Sequence, residues 1–142
     1  MANLKNSLDN GRVADSTSYI TELKVPQSNP NLDRYGTRVT GYLNVPVTGQ
    51  YLFRSYADDE LEFTIWQDET DKTLLTSQLF YTAVNEYKYP TQMSTPIELN
   101  EGRYNFEIIV YEGGGGDYFG VEWKMHGQTE FELIHQLFIT EN

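Results

Sequence analysis

Regular alternation of apolar and polar residues is the feature that most restricts the fold of this chain. In the segment ELEFTIW, Leu61, Phe63 and Ile65 fall on one face, and the residues between them fall on the other. The segments TRVTGYLNV, RYNFEIIVY and FGVEW alternate in the same way. A period of two residues is typical of β-strands that are buried on one side. The chain is therefore predicted to be all-β from about residue 18 onward.

Turn signals separate the alternating segments, for example VPVTG at 45–49 and NEG at 100–102. Short strands at this spacing predict one antiparallel β-sandwich or barrel in residues 17–142. The segment DETDKTLLTSQLFYTAVNEY is ambiguous, because it fits either a strand or a short helical turn. Residues 1–16 are polar and irregular, and we expect them to form a frayed leader.

The charge balance excludes several classes of partner. The 142 residues carry 10 Lys and Arg against 21 Asp and Glu, which gives a formal net charge of −11. Such a chain repels the phosphates of nucleic acids and of anionic membranes, whereas it attracts cations and tolerates neutral sugars. The chain has no cysteine, so thiol nucleophiles, disulfides and thiolate zinc sites are excluded. No apolar run is long enough to cross a bilayer, and no membrane insertion is expected.

Two adjacent acids, Asp58 and Asp59, lie where one predicted strand ends and the next begins. In a trans-linked strand successive side chains point to opposite faces, so the two carboxylates would not hold one ion. They can do so where the chain bends sharply, in the extreme case through a cis peptide bond enforced by a divalent cation. The alternative is a solvated turn, which is the commoner role of such a pair.

A glycine tract from Gly113 to Gly116 precedes a third acid, Asp117. The tract is either a flexible hairpin connection or a loop whose backbone carbonyls approach an ion closely, since no Cβ intervenes. We expect the tract and the Asp pair to meet at the ends of neighbouring strands. Three carboxylates and several carbonyls would then form a cluster that suits Ca²⁺.

Two longer stretches resemble the protective-antigen ("PA-fourteen") domain family. They are YGTRVTGYLNVPVTGQYLFRSYADDELEFTIW and STPIELNEGRYNFEIIVYEGGGGDYFGVEWK. The shared pattern is a Gly-Tyr strand, Val-Pro-x-Thr-Gly-x-Tyr-x-Phe, an Asp-Asp pair, an aliphatic strand, then x-Gly-x-Tyr and a closing Leu/Val-x-Trp. The resemblance covers about residues 18–140. It implies an antiparallel β-sandwich of the kind found in bacterial adhesins and toxins, glycosidases and yeast flocculins, many of which bind carbohydrate.

In the lectin members of this family, the Asp-Asp pair is cis-linked and holds calcium, and a loop near the second stretch completes the coordination. Transferred to this chain, the resemblance implies a metal site formed by the carboxylates of Asp58, Asp59 and Asp117 and by the backbone carbonyls of Gly114 and Gly115. Two vicinal sugar hydroxyls would take the remaining positions, because Ca²⁺ accepts about six to eight oxygen ligands. The three acids would therefore bind both ion and sugar.

Three aromatic residues, Tyr56, Tyr118 and Trp66, are expected at the rim of this site, where exposed rings could stack on a sugar face. For Trp66, packing against the rim is the favoured alternative. Glu60 departs from the family pattern, which usually has a small residue after the Asp pair. It either adds negative charge to the site or lies on the outer face.

These features predict a non-enzymatic, calcium-dependent carbohydrate-binding module of the lectin or adhesin type, within a larger secreted or surface protein. The extracellular location is implied by the resemblance. The alternative is a structural or protein-interaction module whose calcium only pins two loops together. A glycosidase that opposes Asp58 or Glu60 to Asp117 is the least favoured hypothesis, because acids sharing a cation stay ionised and leave no proton donor.

Overall fold

The computed structural model describes residues 10–11, 13, 17–25, 35–112 and 118–142 of the chain. For residues 35 and 112 it describes the backbone alone. Most of the predicted leader, residues 1–16, lies outside this range, so its expected fraying stays a prediction.

Ten β-strands make up most of the described chain. They are β1 (Lys24–Val25), β2 (Tyr35–Val45), β3 (Gly49–Asp58), β4 (Glu60–Trp66), β5 (Thr73–Gln78), β6 (Ile97–Leu99), β7 (Gly102–Glu112), β8 (Tyr118–Lys124), β9 (Glu132–Leu133) and β10 (Ile139–Thr140). Three single turns of 3₁₀ helix interrupt them, at Glu69–Asp71, Pro90–Gln92 and Gln136–Phe138. The ambiguous segment thus contains both a helical turn and a strand, β5. In the parts of the chain just given, no helix is long and apolar enough to span a membrane.

The strands form two antiparallel sheets, which confirms the predicted β-sandwich. One sheet has the order β1-β8-β3-β6, with β9 also paired to β8. The other has the order β10-β2-β7-β4-β5. The long central pairing of the second sheet is β2 with β7, in register from Tyr35 opposite Glu112 to Val45 opposite Gly102.

The core lies between the two sheets, where the alternating apolar residues meet. Phe53 on β3 and Phe63 on β4 belong to different sheets, and their ring centroids are 5.6 Å apart in an edge-to-face arrangement. The Trp123 ring of β8 packs beside Phe53 at 6.2 Å, and the Phe106 ring of β7 packs beside Phe63 at 6.5 Å. All four side chains are buried. Aromatic pairs at these distances contribute beyond their burial, by about 0.5–1.5 kcal/mol each.

Two connections between the sheets decide where the candidate site lies. The chain passes from one sheet to the other between β3 and β4, with Asp59 alone between the two strands. It crosses back between β7 and β8, through residues 113–117. Of the two alternatives left open for the glycine tract, the hairpin is therefore wrong, because β7 and β8 lie in different sheets. Glycine composition indicates a permissive turn, but it carries no information about whether the flanking strands pair with each other.

Candidate functional site

The Asp pair occupies the corner where the chain leaves one sheet for the other. Asp58 ends β3 and is 6% exposed, while Asp59 is half-buried. The peptide bond between Asp58 and Asp59 is cis, as the family resemblance implies. Glu60 opens β4 and is also half-buried. The sequence prediction that the two acids lie at a strand junction is confirmed.

Both ends of the glycine-containing segment lie beside the same acids. Tyr118, which begins β8, is the register partner of Asp58. Tyr111, near the end of β7, is the register partner of Glu60, and its carbonyl accepts a hydrogen bond of 3.1 Å from the Asp59 N–H. The segment 113–117 therefore leaves and rejoins the sheets next to Asp58 and Asp59. We call this group, Asp58, Asp59, Tyr111 and Tyr118, the acidic corner.

Three of the predicted calcium ligands, Gly114, Gly115 and Asp117, lie outside the described residues, so their role stays a prediction. The described part of the chain contains no group of three or more His, Cys, Asp or Glu residues arranged to hold a metal. What it does supply is two adjacent carboxylates, Asp58 and Asp59. Hard carboxylate oxygens are the donors that Ca²⁺ prefers. The donor chemistry of the acidic corner thus fits calcium, although the described ligands alone would not enclose it.

A buried glutamine, Gln78, connects the acidic corner to neighbouring segments through its side-chain amide. Gln78, the last residue of β5, is 2% exposed. Its amide nitrogen lies 2.7 Å from the carbonyl oxygen of Ala57, 2.9 Å from that of Asp59 and 3.0 Å from that of Phe80. One side chain therefore joins the ends of three segments: β3, the corner and the loop that follows β5. Sequence reasoning missed Gln78. The sequence carried no signal for it, because its partners Ala57 and Asp59 lie about twenty residues away.

Further buried polar groups hold the segment after β5 against β3. The amide nitrogen of Gln92, which is fully buried, donates to the carbonyl of Ser55 at 3.0 Å and to that of Glu86 at 2.9 Å. The Thr82 N–H donates to the carbonyl of Ala57 at 3.1 Å. Because these groups are buried, each hydrogen bond is costly to lose. Residues 79–92 are thus fixed to the strand that ends in the Asp pair.

The structure corrects the expectation that Tyr56 and Tyr118 present exposed rings. Tyr56 is 2% exposed and Tyr118 is 5% exposed. The Tyr56 ring lies over Gly120, where a Cβ would come within 2.3 Å of its Cζ, and Tyr87 covers it at a ring distance of 6.0 Å. The Tyr118 hydroxyl donates to the carbonyl of Thr82 at 2.6 Å. The sequence places both residues beside the Asp pair or the glycine tract, but it does not show that the segment after β5 covers them.

Trp66 is also not where the sequence analysis expected it. It is half-buried at the far end of β4, six residues from Glu60, which is about 20 Å at the rise of a β-strand. The Nζ of Lys72 lies 4.5 Å from its ring centroid. The structure therefore does not bring Trp66 to the acidic corner. The expectation failed because Trp66 ends β4, whereas the Asp pair lies at the start of the same strand.

Charge and burial act together on the tyrosines of this region. Burial raises the pKa of Tyr118 above its ordinary value, and a hydrogen bond with Tyr81 and the negative charge of Asp58 raise it further. Burial also raises the pKa of Tyr87, whose hydroxyl donates a hydrogen bond to Glu122. Both hydroxyls therefore stay protonated at neutral pH and act as donors.

Several solved structures have the same fold. The chain is similar to a PA14 sugar-binding domain from an RTX adhesin, at 19% identity and a TM-score of 0.59, with 78% of this chain and 56% of the other covered. It is similar to the epithelial adhesin 6 A domain of Candida glabrata, solved with Galβ1-3GlcNAc, at 12% identity, a TM-score of 0.60 and coverages of 78% and 52%. A third similar structure is an anti-sigma factor domain-containing protein from Clostridium clariflavum, at 18% identity, a TM-score of 0.61 and coverages of 91% and 40%.

No protein-family model matches the chain. The chain spans about half the length of the two adhesin domains and less of the third structure. At these identities the likeness concerns the fold. Together with the two antiparallel sheets and the acidic corner between them, it identifies the architecture of this protein as that of PA14 domains.

Proposed function

We propose that the protein is a non-enzymatic carbohydrate-binding module of the lectin or adhesin type, in which calcium at the acidic corner coordinates the sugar directly. In this proposal the carboxylates of Asp58, Asp59 and Asp117 and the carbonyls of Gly114 and Gly115 hold the ion. Two neighbouring hydroxyls of the sugar complete its coordination. The module acts at the cell surface or outside the cell, as part of a larger protein.

The observation that carries this proposal is that the chain passes between the two sheets twice beside the same corner. The acids Asp58 and Asp59 form one crossing, and residues 113–117 form the other. Tyr118 pairs with Asp58, and Tyr111 accepts a hydrogen bond from Asp59. Any conformation of the five-residue segment must therefore start and finish beside the Asp pair. These ends beside the Asp pair support the proposal that Asp117 and the glycine carbonyls bind the same ion.

The chemistry of a sugar suits such a site better than that of a charged ligand. Ca²⁺ binds about six to eight oxygens and exchanges some of them readily, and a pair of vicinal hydroxyls is a neutral bidentate donor. The formal net charge of −11 disfavours anionic partners such as phosphates and acidic polymers. A neutral saccharide meets no such repulsion.

The arrangement also supports binding over hydrolysis. A glycosidase needs two carboxyl groups about 5–10 Å apart across a cleft, with pKa values that differ. Here Asp58 and Asp59 are consecutive residues of one corner, and a shared cation would keep both ionised. Neither could then serve as the general acid.

The second candidate is a structural or protein-interaction module with a structural calcium ion. The fold also occurs in an anti-sigma factor domain-containing protein, and a cation that joins the two chain crossings would serve a structural role as well. In this case the ion would only join the crossing at Asp59 to residues 113–117.

A glycan array read with calcium and with a chelator tests the proposal, alongside calcium titration calorimetry. The variant Asp59→Ala is compared with Glu98→Ala, which removes an exposed acid from β6, a strand that pairs with the opposite end of β3. We expect the wild type and Glu98→Ala to bind glycans only with calcium, and Asp59→Ala to stay folded but lose ion and sugar. Calcium binding without any glycan binding would favour the structural alternative. If no calcium binds at all, the assignment is wrong.

A further inference from the structure

The loop directly after β5 exposes a run of large apolar side chains. Leu79 is 69% exposed, Phe80 65%, Tyr81 49% and Val84 44%. Single exposed apolar residues are common on protein surfaces, but four within six residues of one loop are unusual. Elsewhere this chain is rich in acids, with 21 Asp and Glu. The loop therefore stands out as a candidate contact surface.

This loop is tied directly to the acidic corner. The carbonyl oxygens of Phe80 and Asp59 both lie within 3.0 Å of the same amide nitrogen, that of Gln78. The carbonyl of Thr82, the residue after Tyr81, accepts a hydrogen bond of 2.6 Å from the Tyr118 hydroxyl. Since Tyr118 is the register partner of Asp58, both exposed rings belong to residues held next to the Asp pair.

The backbone that presents the two rings is fixed in place. Thr82, the next residue along, is fully buried and donates its N–H to the carbonyl of Ala57. The Phe80 ring packs beside that of Tyr89, with centroids 6.2 Å apart. A binding surface that is already ordered loses little conformational entropy when a ligand arrives. Exposed rings on an ordered backbone are thus suited to binding.

We propose that Phe80 and Tyr81 form an aromatic platform that packs against the apolar C–H face of the saccharide held at the acidic corner. This inference rests on the proposed function and adds to it a specificity-determining surface. Charge favours a sugar as the occupant, because the neighbouring acids disfavour a purely apolar partner, while a saccharide offers hydroxyls to the corner and C–H groups to the rings. Aromatic rings supply large contact area with few rotatable bonds, which makes them efficient at such contacts.

The experiment compares Phe80→Ala and Tyr81→Ala with the wild type on an array of mannose-, glucose-, galactose- and fucose-terminated glycans in calcium. Leu74→Ala is the matched control, since Leu74 is 54% exposed near the other end of β5. Tyr81→Phe keeps the ring and removes the hydroxyl. Calcium affinity is measured for every variant by calorimetry, and folding by thermal denaturation.

We expect each alanine variant to bind its glycans about tenfold more weakly, which corresponds to about 1.4 kcal/mol, with unchanged calcium affinity. Leu74→Ala should bind as the wild type does, and Tyr81→Phe should lose less affinity than Tyr81→Ala because it keeps the ring. If the wild type binds glycans and both alanine variants bind them equally well, the platform is wrong while the proposed function stands. If the wild type binds no glycan in calcium, both fail. Self-association that disappears in the alanine variants without a change in glycan binding would assign the loop to a second copy of the chain instead.

Discussion

Removing the Gln78 side chain should destabilise the whole acidic corner. Its amide nitrogen lies within 3.0 Å of three carbonyl oxygens, those of Ala57, Asp59 and Phe80, and the residue is 2% exposed. In Gln78→Ala, Ala57 keeps the N–H of Thr82 as a donor. The other contacts are lost in a buried environment, where an unsatisfied polar group costs about 1–3 kcal/mol and the vacated volume adds to this. We expect a total loss of about 2–4 kcal/mol.

Urea denaturation followed by circular dichroism measures this loss. Gln78→Met keeps the volume without a donor, so it should lose about 1–3 kcal/mol and isolate the hydrogen-bond part. The control is Gln67→Ala, because exposed Gln67 donates one bond of 3.2 Å to the carbonyl of Arg103. Its free energy of unfolding should stay within about 0.5 kcal/mol of the wild type. A loss below about 1 kcal/mol in Gln78→Ala would show that the corner does not depend on this amide.

Three further substitutions test how the rest of the sandwich is packed. Gly120→Ala should lower the free energy of unfolding by about 1–3 kcal/mol in chemical denaturation, because its Cβ would come within 2.3 Å of the buried Tyr56 ring; a neutral result would mean that the ring shifts freely. Ser55 and Thr76 are buried and share a hydroxyl hydrogen bond of 2.7 Å between β3 and β5. Ser55→Ala and Thr76→Val together should cost less than the sum of the two single changes, and strict additivity in the double-mutant cycle would contradict this coupling.

Local periodicity was sufficient to predict most of the fold. Alternation in ELEFTIW and RYNFEIIVY predicted which side chains enter the core, and Phe63 and Phe106 are indeed buried there. The Asp pair was predicted at a strand junction because both flanking strands are strongly periodic. Such signals depend on residues close in sequence, and a β-strand expresses them directly in the direction of its side chains.

Features that depend on contacts distant in sequence could not be predicted in this way. Alternation shows which residues share a face, but the burial of Tyr56 is decided by Tyr87, which covers it from 31 positions further along the chain. Gln78 contacts Ala57 and Asp59 across about twenty residues. For the same reason Phe80 and Tyr81 gave no signal, since an apolar pair in a loop resembles a short strand until its neighbours are known.

The single-residue passage at Asp59 has a thermodynamic consequence. It joins a strand of one sheet directly to a strand of the other, so the two layers cannot separate without disturbing this position. A cation bound there, as proposed, would bind the folded domain and would not bind the unfolded chain. By linkage it would shift the unfolding equilibrium globally, by about 2.7 kcal/mol at a hundredfold excess over its dissociation constant. Resistance to heat and proteases would then follow the calcium concentration of the surroundings.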